Sequence, residues 1–375
     1  MFENAIEVLK IIEKKGFKAY IVGGYVRDIY LSRTSTDIDI CTSAKPKDLL
    51  KIFKRNIIID EKYGSVKLEY KKNFFDITTF RKDIKYKDNR RPSQIEYVDE
   101  LEEDLVRRDF SINTMCMDSN GNIIDTFNAK KDIADKIIKT VSDSNKIIEE
   151  DSLRILRAIR FATTLNFRID KKLEKAIKKN SKLLKNLSFH RKKSELNLVF
   201  RSNNYQYGID LINKYKLYKE LEINKISKLK KTSDVLGMWA QIEYSDNYPF
   251  SNLEKETIKN IRELLLYGKI DSYALYKYGN YIPLTVAEIK GIDKKEILDM
   301  YDSLPIYSKD DIKISIMDIC ILLKVEPSKR VRDILSDIEY KILSNELDNK
   351  KETLKEYILK GYGDSNEKWY FKRYN

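Results

Sequence analysis

The chain has 375 residues, of which 72 are Lys or Arg and 59 are Asp or Glu, so its formal net charge is +13. This length predicts two to four modules. The three cysteines are far apart and show no paired metal-ligand spacing, so the fold need not depend on disulfides, and we expect a reducing compartment and small buried cysteine side chains. The N-terminus lacks the apolar core of a signal peptide and no segment is long and apolar enough to span a bilayer, so we expect a cytoplasmic protein.

The positive charge is concentrated in the middle of the chain. Residues 1–150 carry 28 basic and 27 acidic side chains, whereas residues 151–230 carry 21 and 7, and residues 231–375 carry 23 and 25. A nearly neutral segment followed by a basic one is typical of a catalytic module beside a surface that binds a polyanion. A generally lysine-rich composition is the alternative explanation.

The elements follow one another in a simple order. The apolar spacing predicts a helix over residues 3–15 and a strand over residues 18–23 that ends in paired glycines, followed by a short helix. Alternating patterns then predict strands over 36–40, 65–70 and 74–80, the last two joined as a hairpin. From residue 151 onward the periodicity is helical. The pattern indicates a small α/β head followed by an all-helical body.

Three aspartates belong to the predicted strands. Asp37 and Asp39 are two residues apart and therefore project from one face, while Ile38 and Ile40 face the core. Asp76 lies between apolar neighbours on a later strand, where an acid needs a partner or an ion. Mg²⁺ typically takes one or two carboxylates and completes its octahedron with water and phosphate oxygens. We expect a catalytic metal on Asp37 and Asp39 with Asp76 assisting; solvated surface acids are the alternative.

Gly23 and Gly24 stand between the first strand and the short helix. Backbone can approach phosphates closely only where side chains are absent, and a helix N-terminus offers amide donors. The pair therefore indicates a phosphate site beside the aspartates, and an ordinary turn is the alternative interpretation.

A set of motifs then occurs in a fixed order along the chain: GGYVRD with DID, FDITTFR, DNRRP, EEDLVRRDFSINTM and EEDSLRILRAIRF. In this order and spacing the chain resembles the class II tRNA nucleotidyltransferases, that is, the CCA-adding enzymes and bacterial poly(A) polymerases. The resemblance covers residues 18–200 and continues more weakly to the C-terminus. It implies an α+β fold with a polymerase-beta-like mixed-sheet head over 1–140, a helical neck over 141–230 that selects the base, and a helical, tRNA-binding body and tail over 231–375.

The resemblance also implies roles for individual residues. Arg27, Arg108, Asp109 and Asn113 are expected to bind the nucleotide, the last three at its sugar. Asp109 and Asn113 are four apart and face one way in a helical turn, although Asp109 could equally cap a helix that begins at Phe110.

The D-x-R-R-P pattern lies in a polar, basic segment, residues 81–98, that we predict to be a flexible loop. In the family the corresponding loop helps to switch addition from C to A, and the residues concerned are Asp88, Arg90 and Arg91.

Asp151 and Arg154 are three residues apart at a predicted helix start, which places a carboxylate acceptor beside a guanidinium donor. Such a pair complements the amine and ring nitrogen that cytosine and adenine share, and mismatches uracil and guanine. The expectation is selection of CTP and ATP without a template; an ordinary helix ion pair is the alternative. Arg157, one turn further, would either contact phosphates or brace Asp151.

The family commonly has Glu-Arg-Ile before a Glu-Leu pair, where this chain has His190, Arg191 and Lys192 before Glu195 and Leu196. The helix-bracing role of that segment is therefore open. His190 is the single histidine, which excludes a histidine-ligated metal phosphohydrolase module.

We therefore expect a Mg²⁺-dependent enzyme that adds CCA to tRNA from CTP and ATP. An A-adding enzyme and a poly(A) polymerase use the same chemistry, and a non-catalytic RNA-binding protein is the alternative from another class. The acidic excess over residues 231–375 disfavours the poly(A) polymerase, whose relatives tend to carry a basic extension.

Overall fold

The structure is a computed structural model that describes residues 1–54, 57–60, 63–87 and 91–363, with the backbone alone at 85–87 and 91–93. It divides into two compact units. The first consists of residues 1–229 and 242–249, and the second of residues 230–241 and the described chain from residue 250.

The first unit contains all the strands that the described residues form. In chain order they are β1 (Ala19–Val22), β2 (Asp39–Thr42), β3 (Ile57–Asp60), β4 (Ser65–Tyr70), β5 (Asn73–Thr79), β6 (Arg81–Lys87), β7 (Arg91–Tyr97), β8 (Cys116–Met117), β9 (Ile123–Ile124), β10 (Ile137–Ile138), β11 (Arg168–Ile169), β12 (Ile223–Asn224) and β13 (Glu243–Tyr244). Seven of them build one sheet in the order β3-β4-β5-β2-β1-β8-β9. It is mixed, because β2 and β5 are parallel and the other neighbours are antiparallel.

Helices make up the rest of the first unit. They are α1 (Phe2–Glu13), α2 (Gly24–Tyr30), α3 (Pro46–Phe53), α4 (Leu101–Val106), α5 (Ala129–Ala134), α6 (Ser144–Glu150), α7 (Leu153–Leu165), α8 (Lys171–Asn180), α9 (Phe189–Arg201), α10 (Tyr205–Lys214) and α11 (Tyr218–Leu221). Helix α1 begins at Phe2 and buries Ala5, Val8, Leu9 and Ile12, the face that its apolar spacing predicts. The mixed-sheet head with a mostly helical remainder confirms the predicted fold class.

The second unit is helical in its described residues. It contains α12 (Val235–Ala240), α13 (Asn252–Tyr267), α14 (Ser272–Tyr278), α15 (Tyr281–Lys290), α16 (Lys294–Asp302), α17 (Ile316–Leu323), α18 (Lys329–Leu343) and α19 (Lys351–Tyr362). Two of its helices start at fully formed caps: Ser251 and Ser315 each complete a capping box with the acid three residues later. No helix in the described parts of either unit has the length and apolarity needed to cross a bilayer.

The head strands follow the sequence pattern closely. Strand β1 ends at Val22, directly before the two glycines, and α2 begins at Gly24. Strands β4 and β5 form the predicted hairpin, in which Lys71 and Lys72 take positive φ values at the turn. The three cysteines are buried and unpaired, as predicted for small interior side chains.

The prediction that residues 81–98 form a loop was wrong. Strands β6 and β7 occupy most of it and pair as an antiparallel hairpin. The register shifts between Asp83 and Lys85 and again between Lys85 and Tyr86. Such irregularities interrupt the strict alternation of side chains that identifies a strand in a sequence. The polar sequence pattern therefore did not indicate the two strands of this hairpin.

Gly208 on α10 marks a close packing of α10 against α7 and α9. A Cβ atom there would lie 2.5 Å from Thr163 Oγ1 and 2.6 Å from Val199 Cγ1. We expect Gly208→Ala to lower the free energy of unfolding by about 1–3 kcal/mol, because a well-packed interior does not accept an added methyl group without shifting. Gly361→Ala on α19, where nothing lies within 4 Å, is the matched control and should be neutral or slightly stabilising. Chemical denaturation measures both; equal effects would contradict the packing argument.

Candidate active site

A cavity of about 270 Å³ lies in the first unit and is lined by residues of β2, α2, α7 and the segments that connect the elements of the head. It collects nine of the residues that sequence analysis selected: Gly23, Gly24, Arg27, Asp37, Asp39, Arg108, Asp109, Asn113 and Arg157. It is lined as well by five residues that sequence analysis missed, namely Tyr25, Asp28, Ser35, Arg160 and Phe161.

Asp37 and Asp39, the acidic pair, both line the cavity, although only Asp39 belongs to a strand. The prediction that a strand spans residues 36–40 was wrong at its start, because β2 pairs with β1 only from Asp39 onward. Ile38 and Ile40 are buried, as the alternation predicts. The acidic pair thus consists of one residue in the connection before β2 and the first residue of β2, and both residues are exposed and line the cavity.

Asp76 lies directly beside Asp39 in the parallel pairing of β5 with β2. In-register residues of parallel strands point to the same face, so the two carboxylates are neighbours. Asp76 is exposed and is not part of the cavity lining. Within the described residues, no group of three or more acidic, histidine or cysteine side chains is placed to hold a metal ion.

The pKa of Asp39 is raised to about 6, chiefly because the surrounding protein displaces water from its carboxyl group. The charges of Asp37 and Asp76 act in the same direction and outweigh the opposing influence of Arg108 and Arg157. The acidic pair is therefore a site of uncompensated negative charge, which a divalent cation would relieve. Two cavity-facing carboxylates match the ligand set that Mg²⁺ prefers.

This shift predicts a pH-dependent effect of Asp39→Asn on the metal-free protein. The folded protein holds the Asp39 proton more tightly than the unfolded chain, whose ordinary pKa is 3.8. Ionisation therefore costs stability as the pH rises through about 6. We expect Asp39→Asn to raise the free energy of unfolding at pH 8 and to change it little at pH 4. Denaturation in EDTA measures this difference; Asp99→Asn, outside the cavity, is the control. An equal effect at both pH values would contradict the shift.

Gly23 has a φ of 84°, a conformation that favours glycine, and it ends the turn from β1 into α2. A Cβ atom at Gly23 would lie 3.7 Å from Arg108 Nη1, and one at Gly24 would lie 3.7 Å from Arg27 Nη2. Both distances are ordinary van der Waals contacts, so the positive φ of Gly23, rather than a lack of space, is what favours glycine here. The contact of the two glycines with phosphate stays a prediction.

Asp109 connects the sugar-binding candidates with α7. It accepts hydrogen bonds from Asn113 Nδ2 at 3.0 Å and from Arg157 Nε at 2.7 Å, and Asn113 Oδ1 accepts one from Arg27 Nη1 at 2.6 Å. Burial alone would raise the pKa of Asp109, but the Arg157 charge and the Asn113 bond outweigh it and lower the pKa to about 2. Arg157 pairs with Asp109, and its two predicted roles, contact with phosphates and bracing of Asp151, stay predictions.

Asp104, which sequence analysis did not select, fixes Arg108. It is completely buried on α4 and pairs with Arg107 at 2.7 Å and with Arg108 at 3.3 Å. It also accepts the backbone N–H of Arg81 at 3.2 Å. The spacing of three and four residues to the two arginines is the signal that could have identified it. Asp104 thereby holds the Arg108 guanidinium at the wall of the cavity.

The Asp151 and Arg154 pair is arranged differently from the prediction. Helix α7 begins only at Leu153, and Asp151 precedes it in an extended conformation that accepts the Leu153 N–H at 3.0 Å. The predicted i,i+3 placement on one helix face was therefore wrong. Arg154 is buried and donates to the backbone carbonyls of Ile147 and Arg107, each at 2.9 Å. Neither residue lines the cavity, so base selection by this pair stays a prediction.

Arg160 lines the cavity and its side chain also contacts α9. Its Nε donates to Glu195 Oε2 at 2.6 Å. Lys192, which like Glu195 is on α9, is buried and its Nζ donates to the Glu220 carbonyl at 2.7 Å. His190, on the same helix, is exposed. Helix α9 is thus braced by Glu195 and Lys192, which answers the question that the altered His190-Arg191-Lys192 segment left open.

Two of the loop residues, Asp88 and Arg90, lie outside the described residues. Arg91 begins β7, where its backbone pairs with Lys87. The proposed switching role of these three residues stays a prediction.

Family profiles match three parts of the chain. "Poly A polymerase head domain" matches residues 19–139, "Probable RNA and SrmB-binding site of polymerase A" residues 166–225, and "tRNA nucleotidyltransferase domain 2 putative" residues 244–358. The first covers β1 to β10 and therefore all seven strands of the head sheet and the acidic pair.

Full-length relatives agree with these profiles. The CCA-adding enzyme of Bacillus subtilis (strain 168) is 32% identical over 388 residues, covering 96% of this chain and 98% of that enzyme. The CCA-adding enzyme of Ligilactobacillus salivarius (strain UCC118) is 33% identical over 389 residues and covers 96% of both. The crystal structure of the Bacillus stearothermophilus CCA-adding enzyme in complex with CTP superposes with a TM-score of 0.81 at 26% identity, over 96% of this chain and 97% of that one. The chain described here belongs to the nucleotidyltransferase family of the CCA-adding enzymes.

Proposed function

We propose that the protein adds CCA to the 3′ end of tRNA, using CTP and ATP and releasing pyrophosphate. The observation that carries this proposal is a single cavity that combines two exposed carboxylates with four arginines, Arg27, Arg108, Arg157 and Arg160. Carboxylates suit a divalent metal, and guanidinium groups suit the phosphates of a nucleotide. The full-length similarity to CCA-adding enzymes supports the choice of tRNA as acceptor.

Asp37 and Asp39 would hold the metal, for which Mg²⁺ is our candidate, and Asp76 would add negative charge beside Asp39. The bound cation would supply Lewis-acid activation of the attacking hydroxyl and neutralise charge on the leaving pyrophosphate. The arginines of the cavity wall would orient the triphosphate, so that the tRNA 3′ hydroxyl can attack the α-phosphate in line. No protein nucleophile is needed.

Asn113 and Asp109 are the candidates for the ribose. Their side chains are already bonded to each other and to Arg27 and Arg157, so their orientation is fixed before a nucleotide binds. A prearranged polar group binds a sugar hydroxyl at a lower entropic cost than a mobile one.

Selection of the base is assigned to Asp151 and Arg154. In the structure the Arg154 guanidinium donates to two backbone carbonyls and lies 3.4 Å from Glu150 Oε2, so a base would be bound by its remaining N–H donors. Burial raises the pKa of Asp151, although the charges of Arg154 and Arg157 oppose this. A carboxylate that is poorly solvated in this way favours a donor such as the exocyclic amine of cytosine or adenine.

The body and tail over residues 231–375, together with the basic neck, are proposed to bind the tRNA. Binding would depend on shape and phosphates rather than on sequence.

Incubating the protein with tRNA that lacks its terminus, Mg²⁺ and one labelled nucleotide at a time tests the proposal. We expect incorporation from CTP and, after CC has been added, from ATP. Equal incorporation from UTP or GTP would contradict selection by Asp151 and Arg154. Arg154→Lys, which keeps the charge but loses the planar pair of donors, should relax the selectivity more than it reduces the rate.

Product length separates the alternatives within the same chemistry. A CCA-adding enzyme stops after three nucleotides on tRNA lacking CCA, an A-adding enzyme extends only tRNA that ends in CC, and a poly(A) polymerase continues to add A. Binding of tRNA without any incorporation would favour the non-catalytic alternative.

A further inference from the structure

The ring of Phe161 lies among three arginine side chains of the cavity wall. The Cζ atoms of Arg160, Arg27 and Arg157 are 4.0, 5.0 and 5.3 Å from the centroid of the ring. Phe161 is almost completely buried, yet it lines the cavity together with all three arginines. A phenyl ring attracts a cation that lies within about 6 Å of its centroid. All three guanidinium groups are therefore within reach of one ring.

These three arginines, which we call the arginine cluster, come from two helices. Arg157, Arg160 and Phe161 itself are on α7, and Arg27 is on α2. Each guanidinium is also held by one carboxylate, in the pairs Arg27–Asp28 at 2.8 Å, Arg157–Asp109 at 2.6 Å and Arg160–Glu195 at 2.6 Å. A chain of hydrogen bonds through Asn113 and Asp109 links Arg27 with Arg157, whereas Arg160 is held separately by Glu195. The ring of Phe161 is the group that the arginines share.

The arginine cluster keeps donors for a ligand. Among the described residues, Arg160 uses only Nε for hydrogen bonding, and Arg157 uses Nε and Nη2. Terminal amino groups of both are therefore available to donate to phosphate oxygens, and the two side chains are 16% and 33% exposed. Guanidinium groups bind phosphate in this way through parallel hydrogen bonds.

We propose that Phe161 is a positioning residue, which gathers the guanidinium groups of Arg27, Arg157 and Arg160 into a receptor for the phosphates of the incoming nucleotide. The proposal rests on the nucleotidyl transfer proposed above and adds to it a residue that never touches the reacting atoms. Three guanidinium groups, each within 5.3 Å of the centroid of one ring, repel one another, and the negative face of the ring offsets part of that repulsion before any ligand binds. Without the ring, the guanidinium groups would spread and meet the phosphates less well aligned.

Fluorinated phenylalanines test this directly. Introducing one, two and three fluorine atoms at Phe161 withdraws electron density from the ring while changing its size very little. The Kd for CTP, measured by titration calorimetry with Mg²⁺, should rise stepwise and reach roughly tenfold with trifluorophenylalanine. The Kd for ATP should rise by the same factor, because both nucleotides carry the same triphosphate.

The same fluorine series at Phe110 is the matched control. Phe110 packs edge-on against Phe161 with ring centroids 5.8 Å apart, is fully buried, and has no cation over its ring among the described residues. A purely structural role of Phe161 predicts that the two series behave alike. A stepwise rise in Kd at Phe161 and none at Phe110 would support the proposal. Flat or parallel series would overturn it.

The experiment also separates this inference from the proposed function. If the unmodified protein bound CTP but extended no tRNA, CCA addition would be disproved while the Kd series still decided the role of Phe161. If the unmodified protein extended tRNA and the series was flat, only the role of Phe161 would fall. Absence of any CTP binding would overturn both.

Discussion

Asp39→Asn is expected to reduce nucleotide incorporation at least about 1000-fold, because a metal that activates the attacking hydroxyl contributes several kcal/mol to the transition state. The substituted amide would keep the shape of the side chain but lose the charge that holds the cation. Asp37→Asn should have a comparable effect, since both carboxylates line the same cavity. Single-turnover incorporation of labelled CMP into tRNA measures the loss.

Stability and tRNA binding are the controls for this prediction. The metal-free Asp39→Asn protein should be more stable than the parent at pH 8, so its inactivity cannot result from unfolding. Its affinity for tRNA should stay within about twofold of the parent, because the proposed tRNA surface lies mainly on other residues. Asp99→Asn removes an exposed carboxylate outside the cavity and should leave activity unchanged. Substantial incorporation by Asp39→Asn would show that the metal is held elsewhere.

The second large effect is expected at Asp104, and it concerns stability. Asp104→Ala would leave Arg107 and Arg108 without their common counter-ion in a water-poor environment. Removing one partner of a buried ion pair costs about 3–5 kcal/mol, which is a large part of the stability of an ordinary domain. We therefore expect the first unit to unfold at markedly lower denaturant concentration, as measured by circular dichroism.

The lowered pKa of Asp104 determines how the loss of stability in Asp104→Ala changes with pH. Burial would raise its pKa, but the charges of Arg107 and Arg108 outweigh burial and lower it. A carboxylate whose pKa is lower in the folded protein stabilises the fold at pH values above its pKa in the unfolded chain. This stabilisation is lost as the pH falls through the pKa of the folded state. The difference between the parent and Asp104→Ala should therefore shrink in acid.

Glu103→Ala is the matched control on the same helix. Glu103 pairs with Lys82 at 2.6 Å, but the two side chains are 40% and 46% exposed. Such surface pairs contribute about 0–1 kcal/mol. If Glu103→Ala destabilised the protein as strongly as Asp104→Ala, the burial of Asp104 would not be the cause.

Two of the four arginines of the cavity wall are held by carboxylates that do not line the cavity themselves. Asp104 and Glu195 lie outside the cavity lining and each fix an arginine that faces it, Arg108 and Arg160 respectively. Substitutions at the acidic pair should affect chemistry with little loss of stability, whereas substitutions at Asp104 should affect both. This separation allows a measured loss of activity to be assigned to one cause or the other.

Local sequence was sufficient to place the acids and the glycines. The alternation around Asp39 and Asp76 predicted strands with the isoleucines inside, and the paired glycines predicted the end of β1. These predictions held because the side-chain period and the freedom of glycine depend on a few neighbouring residues. The hairpin of β6 and β7 was missed because its register shifts disturb the same period.

The sequence by itself determined the mixed-sheet head with its helical remainder and, through the order of its motifs, the family, but not the β6–β7 hairpin. Only the tertiary structure decided which charged side chains pair with one another. Arg157 pairs with Asp109, 48 residues away, and Arg160 with Glu195, 35 residues away, while Arg154 turns to backbone carbonyls. Periodicity fixes the face of a helix on which a side chain lies, but not the face of another element that packs against it. Arg157 and Arg160 share a helix with Phe161, but Asp109, Glu195 and Arg27 reach these side chains only when the segments that carry them pack against α7.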